Sequence, residues 1–210
     1  MEIKLSKIEK EKLKKSLNSK WGIHFDKETV LVGIRGYHSM NGVLIKNNDE
    51  IDVFNDTILV FDKSGEVYTY DATLDPGLHW ILKPMAAILK KGTARLKEGV
   101  YRYKIGLHKG FPALVQASAV SVHRDTNRNA IWEENEIVEK GWFAINIHMK
   151  LRDSKNVSSN SAGCSVINSL RNQRPWISFW DKIISAKNNH GQEQFVYAVL
   201  DQSTAEGILN

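Results

Sequence analysis

His148 and Cys164 are the two side chains whose types and spacing could together carry out nucleophilic chemistry. His148 ends a strand-like run at 143–148 (Phe-Ala-Ile-Asn-Ile-His), and a loop rich in Ser and Asn leads from it to Cys164, the only cysteine in the chain. A thiolate is a strong nucleophile, and a nearby imidazole can act as the base that generates it. One strand and one loop therefore contain the two groups that covalent catalysis requires at least, a nucleophile and a base.

The strand pattern predicts which side chains accompany the histidine. Alternate residues of a strand share a face, so Ile145, Ile147 and Met149 would point together into apolar surroundings. Asn146 and His148 would lie on the opposite, polar face. We expect Asn146 to help hold a substrate there.

The residues before the cysteine, Ser161-Ala162-Gly163, are small. Small residues let the backbone approach a ligand and leave amide N–H groups free, and such groups stabilise a developing oxyanion. Another interpretation remains open at this point, because a lone cysteine is often a small buried hydrophobe. A strand histidine is also often a satisfied polar group without a catalytic role.

The pattern of the whole chain predicts a mainly β (α+β) fold with a few helices. Runs rich in β-branched and aromatic residues, bounded by turn residues, predict strands at 29–34, 57–61, 66–70, 99–106, 113–122, 141–150 and 195–200. Helical spacing predicts a basic N-terminal helix over 1–20 and a second helix near Pro175, whose apolar stripe is Trp176, Phe179, Trp180, Ile183 and Ile184. We expect the first helix to be an appendage on a single domain at 21–210.

Composition limits the classes of partner. Residues 1–20 hold seven Lys and three Glu, a net of +4 out of the formal +5, so the rest of the chain is nearly neutral. We therefore expect no nucleic-acid partner, and we interpret the basic helix as a solvated face or as a contact for an anionic surface. The chain has neither a run of about 18 apolar residues nor an N-terminal secretion signal, which favours synthesis in the cytoplasm without a transmembrane segment.

An acidic loop has the spacing of a calcium site. Asp125, Asn127, Asn129, Glu133 and Glu136 stand at positions 1, 3, 5, 9 and 12 of such a loop, but Ala130 replaces the glycine of its sharp turn. A structural calcium site and an Asx-rich turn are the two interpretations. No histidine pair has zinc-ligand spacing, and we predict no catalytic metal or cofactor.

The order of His148, a Ser/Asn-rich loop, and then Ser161, Gly163 and Cys164 resembles the signature of the L,D-transpeptidase catalytic domain. That family's motif is a histidine followed by Ser/Thr-His-Gly-Cys on a mostly β fold. Here Ala162 replaces the second histidine, Ser165-Val166 replaces the usual hydrophobic and Arg/Asn pair, and the gap is slightly shorter. The resemblance covers residues 140–170 and indicates a divergent branch such as those of phage lysis proteins or interbacterial effectors.

The resemblance implies an L,D-transpeptidase-like β-sandwich and a set of roles. Cys164 would be the nucleophile and His148 its base, with the Met149 carbonyl orienting the imidazole. The backbone N–H groups near Gly163 would bind the oxyanion, and Ser161 would contact the substrate. The substrate would be a peptidoglycan stem peptide, cleaved between an L-configured centre and a terminal D-amino acid.

Two further segments, 33–37 and 73–77, also resemble segments of those divergent relatives. We expect Arg35, Tyr37 and His38 to bind the carboxylates of the substrate, since Arg binds carboxylates in a bidentate way. An enzyme of this kind would need a non-standard route to the periplasm or cell wall. The competing hypotheses are a catalytically inactive cell-wall-binding or structural module with the same fold, for which Ala162 argues, and a general cysteine peptidase.

Overall fold

The structure, a computed structural model, describes residues 4–86, 90–132 and 137–210 of the 210-residue chain. Its strands are β1 (Val30–Ile34), β2 (Tyr37–Met40), β3 (Val43–Lys46), β4 (Asp56–Phe61), β5 (Val67–Thr73), β6 (Thr93–Leu96), β7 (Gly99–His108), β8 (Phe111–Gln116), β9 (Val120–Asp125), β10 (Val138–Gly141), β11 (Ile147–Met149), β12 (Ser165–Ile167) and β13 (Gln194–Leu200). Its α-helices are α1 (Lys7–Trp21), α2 (Leu78–Leu82), α3 (Arg174–His190) and α4 (Gln202–Leu209). The prediction of a mainly β chain with a few helices is confirmed.

Eight strands close into a barrel in the order β1-β13-β7-β8-β11-β12-β5-β4. The pairs β1–β13 and β11–β12 are parallel, and the other pairs are antiparallel. A second sheet of three strands, β10-β9-β6, and the β2–β3 hairpin stand outside this ring. The expected β-sandwich is therefore wrong.

The closure depends on strand β1, which pairs with β4 on one side and with β13 on the other. All five residues of β1 are buried. A strand that is covered on both faces and paired on both edges leaves no free edge, which is what barrel closure achieves. The strand patterns themselves do not distinguish a closed sheet from two stacked sheets, so the sequence could not decide between them.

The inside of the barrel holds the larger of two apolar cores. Aromatic side chains contribute much of it, with the rings of Tyr103 and Tyr197 packed edge to face at 5.5 Å between centroids. Helix α3 packs its predicted stripe on the same core, and Trp176, Phe179 and Ile183 are buried there. Pro175 stands in the first turn of α3, where no helical N–H is needed.

The second core lies between the outer face of the barrel and helices α1 and α4. Leu13 and Leu17 of α1 are completely buried in it. Ser6 begins the helix by accepting a hydrogen bond from the Glu9 amide, and Gly22 ends it in the left-handed conformation. Among the described residues, no helix is long and apolar enough to cross a membrane.

Two predicted strands are shorter than expected. The run 113–122 is divided between β8 of the barrel and β9 of the second sheet, with a bend between them. The run 141–150 forms strand only at its ends, in β10 and β11. The intervening Ala144 adopts a left-handed φ of 55°, which interrupts an extended strand.

Candidate active site

Strands β11 and β12 bring the predicted pair together. They run parallel, with His148 opposite Val166, and the Ser165 amide donates to the Asn146 carbonyl at 3.0 Å. Cys164 immediately precedes β12, and parallel pairing therefore sets it beside the polar face of β11. Adjacent strands thus hold the thiol and the imidazole on one wall of the barrel.

The predicted alternation of side chains along this segment is present. Ile145, Ile147 and Met149 belong to the core inside the barrel. The side chains of Asn146 and His148 make polar contacts on the other face, and both are buried. The site therefore lies on the outer side of the barrel wall, under a cover of protein.

The His148 ring is fixed by its own neighbour. Its Nδ1 lies 2.6 Å from the Met149 carbonyl oxygen, so Nδ1 carries the proton and donates it. The other nitrogen, Nε2, is buried and has no hydrogen-bond partner among the residues that the structure describes. One nitrogen of each of the rings of His108 and His148 and the Cys164 sulfur all lie within 4.8 Å of one another. The imidazole therefore offers a bare lone pair in the vicinity of a thiol.

The thiol sits between two backbone groups. The Asn146 amide donates to Cys164 Sγ at 3.4 Å, and the thiol donates to the Ala144 carbonyl at 3.6 Å. Burial raises the pKa of the Cys164 thiol to about 11, although the Asn146 amide and the charge of Lys109 both oppose the rise. The resting sulfur is therefore protonated near neutral pH.

The imidazole is also neutral at rest. Burial lowers the pKa of His148 to about 3, and the adjacent His108 lowers it further, while the hydrogen bond to Met149 opposes the shift. A neutral thiol beside a neutral imidazole is not a preformed ion pair. Such a pair can work only if the proton moves to His148 as the sulfur attacks, which is general-base chemistry.

The loop that leads to Cys164 is locked by Ser161. Its hydroxyl accepts a hydrogen bond from the Gly163 amide at 3.1 Å and donates to the Cys164 carbonyl at 2.7 Å. Gly163 has a φ of 122°, and a Cβ there would lie 2.6 Å from the Ala94 carbonyl oxygen, so only glycine fits. Ser161 is completely buried and the Gly163 amide is already bonded, so their predicted roles toward a substrate or an oxyanion remain predictions.

Arg35 lies in a buried ionic network, and its described hydrogen bonds and ion pairs include neither Cys164 nor His148. Its guanidinium donates to Asp75 at 2.9 Å, to Asp201 at 2.6 Å, and to the carbonyl oxygens of Leu74 and Leu96. The side chain is 0% exposed, so its N–H groups serve the protein itself. A carboxylate-binding role for Arg35 stays a prediction that this burial argues against.

The other members of that predicted group lie on strand β2. Tyr37 is buried in the outer core beneath the helices, and its carbonyl accepts a hydrogen bond from the Thr57 hydroxyl. His38 is half-buried and pairs in register with Ile45 of β3. Within the described part of the chain, neither side chain hydrogen-bonds to His148 or Cys164 or stacks on the His148 ring, and their substrate-binding roles stay predictions.

The described part of the acidic loop forms Asx turns. The Asp125 carboxylate accepts hydrogen bonds from the amides of Asn129 and Ala130, and Asn127 accepts a second one from the Asn129 amide. These bonds use the oxygens that a cation would need. Glu133 and Glu136, two of the predicted calcium ligands, lie outside the described residues.

Two contributors to the site have no signal in the sequence pattern. His108, the last residue of β7, stacks on His148, and Gln116 of β8 accepts hydrogen bonds from the amides of Phe143 and Ile145 at 3.0 Å each. Both reach the site from strands that are distant in sequence. An amide side chain at the end of a strand, before a run of small residues, is too common a feature to identify Gln116.

His108, His148 and Cys164 are also the described group of side chains that could bind a metal ion. Imidazole and thiolate are suitable ligands for zinc. However, the two rings lie parallel at an angle of 7°, and a metal prefers to lie in the plane of each imidazole that binds it. The lone pairs of stacked rings lie in two separate, nearly parallel planes, so no metal ion could lie in the plane of both rings unless one of them turned.

Comparison with known proteins adds no relatives, since no family model, curated protein or solved structure matches the chain. The fold and the site therefore define the class by themselves. The chain is a mainly β protein with a closed eight-stranded barrel. It carries a buried cysteine–histidine pair on the outer side of the barrel wall.

Proposed function

We propose that this protein is a cysteine acyltransferase or hydrolase that acts on peptidoglycan stem peptides, as an L,D-transpeptidase or L,D-carboxypeptidase. The observation that carries the proposal is the buried imidazole of His148, which has a ring nitrogen within 4.8 Å of the Cys164 sulfur and whose Nε2 has no hydrogen-bond partner among the described residues. A buried acceptor without a partner costs stability, and such costs concentrate at functional sites. A role as the general base, which must accept a proton from Cys164, accounts for the unpaired Nε2 of His148.

The reaction follows from the two neutral groups. Cys164 Sγ attacks the carbonyl carbon of the L-configured centre while its proton passes to His148 Nε2. The same proton then goes to the nitrogen of the D-amino acid as the C–N bond breaks. The free D-amino acid leaves, and a thioester remains on Cys164.

The acceptor decides the product. An amine of a second stem peptide forms a cross-link, water gives a shortened stem peptide, and a free D-amino acid gives exchange. In each case the acceptor loses a proton to His148, and the thiolate of Cys164 recovers it after the thioester bond breaks. A single histidine can serve both half-reactions because it returns to its neutral form between them.

Support for this substrate class comes from the residues that resemble the L,D-transpeptidase signature. His148, Ser161, Gly163 and Cys164 stand in that order, and the described structure brings them into one site. The hydrogen bond from His148 to the Met149 carbonyl supports the orienting role that the resemblance implies. Ala162 departs from the motif, and the proposal therefore names three acceptors and commits to none of them.

A second candidate function is a cell-wall-binding module without catalysis. It is favoured by the low exposure of Cys164, which is 6%, and by the internal hydrogen bond between Ser161 and Gly163. In that case the pair would be a structural feature of the barrel wall. The protein would bind peptidoglycan and leave it unchanged.

Intact protein mass after incubation with tetrapeptide muropeptides separates the two candidates. The catalytic proposal expects a thioester adduct on Cys164 and release of D-alanine, both absent from Cys164→Ala. Cys164→Ser is a matched control, because it keeps the shape of the site while a serine hydroxyl is a much poorer nucleophile without a stronger base. Binding to sacculi with no adduct and no released D-alanine would establish the binding module instead.

A further inference from the structure

His108 lies against the proposed base in a specific geometry. The rings of His108 and His148 are parallel, with centroids 4.2 Å apart and an angle of 7° between their planes. The side-chain amide of Asn146 donates to His108 Nδ1 at 3.0 Å, so the proton of the His108 ring resides on Nε2. Asn146 is also the residue whose backbone amide donates to the Cys164 sulfur. One residue thus connects the second imidazole to the thiol.

The strands of the barrel wall bring the two rings together. Strand β8 pairs with β11 through Leu114 and Ile147, so an extension of this antiparallel register sets Ala113 beside His148. Gly106 is the partner of Ala113 on β7, and His108 follows it two residues later on the same face. The end of β7 therefore delivers the ring of His108 to one face of the His148 imidazole.

A single hydrogen bond does not fix an imidazole. The bond from Nδ1 to the Met149 carbonyl holds one atom of His148, but the ring can still tilt about the axis through that atom. A flat partner against its face removes this tilt, because aromatic rings in contact favour defined relative orientations. The direction of Nε2, and therefore of its lone pair, depends on that second contact.

We infer that His108 is a positioning residue that holds the imidazole of His148 in the orientation needed to take the proton of Cys164. This inference rests on the proposed role of His148 as the base. His108 acts through His148 and need not touch the substrate. It also supplies an imidazole to a site whose loop has Ala162 at the position before Gly163.

The charge state of the stack is restricted. The groups around His108 are His148 on β11, Cys164 before β12 and Lys109 in the adjoining turn. On β8, the residue opposite His108 is Phe111, and the guanidinium of Arg171 lies over the Phe111 ring. Two cationic rings at this distance would repel each other. Burial and the charge of Lys109 lower the pKa of His108, which keeps the stack neutral near neutral pH.

The rate at which iodoacetamide alkylates Cys164 in the full chain, measured from pH 6 to pH 10, tests the inference without any substrate. His108→Ala removes the stack, and we expect alkylation at pH 8 to slow about tenfold, as in His148→Ala. His108→Phe keeps a flat ring, and its rate should remain within about threefold of the wild-type rate. His190→Ala, at the exposed end of α3, is the control and should leave the profile unchanged.

Urea unfolding of each variant ensures that folded proteins are compared. In a double-mutant cycle, His108→Ala should add little to the effect of His148→Ala, because both remove the same function. A wild-type pH profile for His108→Ala, additive effects in the cycle, or equal rates for His108→Phe and His108→Ala would each overturn the inference. The proposed enzymatic activity fails separately, by the absence of released D-alanine while the cycle still shows coupling.

Discussion

The Nδ1 atom of His148 lies 2.6 Å from the carbonyl oxygen of Met149, the next residue in the chain. This bond fixes the tautomer, because the proton on Nδ1 leaves Nε2 as the acceptor. The same bond satisfies a carbonyl group at the end of a short strand. The base is therefore set by the local backbone, whereas its approach to Cys164 depends on the parallel pairing of β11 and β12.

The burial of His148 predicts a pH dependence of stability. Its pKa is about 3 in the folded protein, whereas an unfolded histidine has a pKa of about 6.5. Below about pH 6.5 the unfolded chain therefore takes up a proton that the folded chain does not. Stability from this group is complete above about pH 6.5 and is lost as the pH falls toward 3, at up to about 1.4 kcal/mol per pH unit.

His148→Gln removes this titration. Between pH 7.5 and pH 5, the wild-type protein should lose about 2 kcal/mol more of its free energy of unfolding than the variant loses. Urea unfolding of both proteins at the two pH values measures the difference. Comparing two proteins cancels the contributions of His108 and the carboxylates, which are common to both. Identical pH dependence in the two proteins would contradict the buried, neutral state of His148.

Gln116 predicts a second measurable effect. Its Oε1 accepts from the amides of Phe143 and Ile145, and its Nε2 donates to the Gly141 carbonyl at 3.2 Å. These bonds hold Ala144 in the left-handed conformation. The carbonyl of Ala144 accepts the hydrogen bond of the Cys164 thiol. Gln116→Leu leaves the two amides without an acceptor, and we expect a loss of about 2 kcal/mol or more of unfolding free energy.

The converse variant is Ala144→Gly. Glycine adopts a left-handed φ without the steric cost that alanine pays, so this change should stabilise the protein by about 1 kcal/mol. Urea unfolding measures both variants. A neutral effect of Gln116→Leu would mean that water satisfies the two amides and that the side chain is not a clamp.

The sequence predicts the local part of this site well, and the physical reason is periodicity. Alternation along a strand has a period of two, so the common face of Asn146 and His148 can be read from the chain. The stacking of His108 cannot be read in this way, because it depends on which strands become neighbours. The prediction of a β-sandwich is wrong for the same reason, because barrel closure depends on which strands become neighbours, here on the pairing of β1 with both β4 and β13.

Helix α1 tests how far the N-terminal segment belongs to the domain. Leu13 is completely buried in the outer core, whereas Ile8 on the same helix is 72% exposed. Leu13→Ala should cost about 2–5 kcal/mol of unfolding free energy, and the matched Ile8→Ala should change it by less than about 0.5 kcal/mol. Urea unfolding measures both. A small effect of Leu13→Ala would indicate an appendage that the barrel does not need for stability.

Substitutions of Arg35 test whether this side chain stabilises the fold or binds the substrate. Its guanidinium bridges Asp75 and Asp201 and is fully buried. Arg35→Ala leaves the buried Asp75 with Arg95 as its remaining arginine and removes the arginine from Asp201, which is 44% exposed. Because one arginine still neutralises Asp75, we expect a loss of about 3 kcal/mol, the low end of the cost of breaking a buried ion pair. Arg152→Ala, at an exposed position, is the matched control and should cost less than about 0.5 kcal/mol.

Arg35→Lys separates the two roles further. Lysine keeps the charge but cannot reproduce the planar set of donors that reaches Asp75, Asp201 and two carbonyl groups at once. A structural Arg35 therefore predicts a loss of unfolding free energy in Arg35→Lys, with the KM for a stem peptide unchanged in the fraction that remains folded. An arginine that binds a substrate carboxylate predicts the reverse, which is normal stability and a raised KM. Urea unfolding together with initial rates of D-alanine release at several substrate concentrations decides between them.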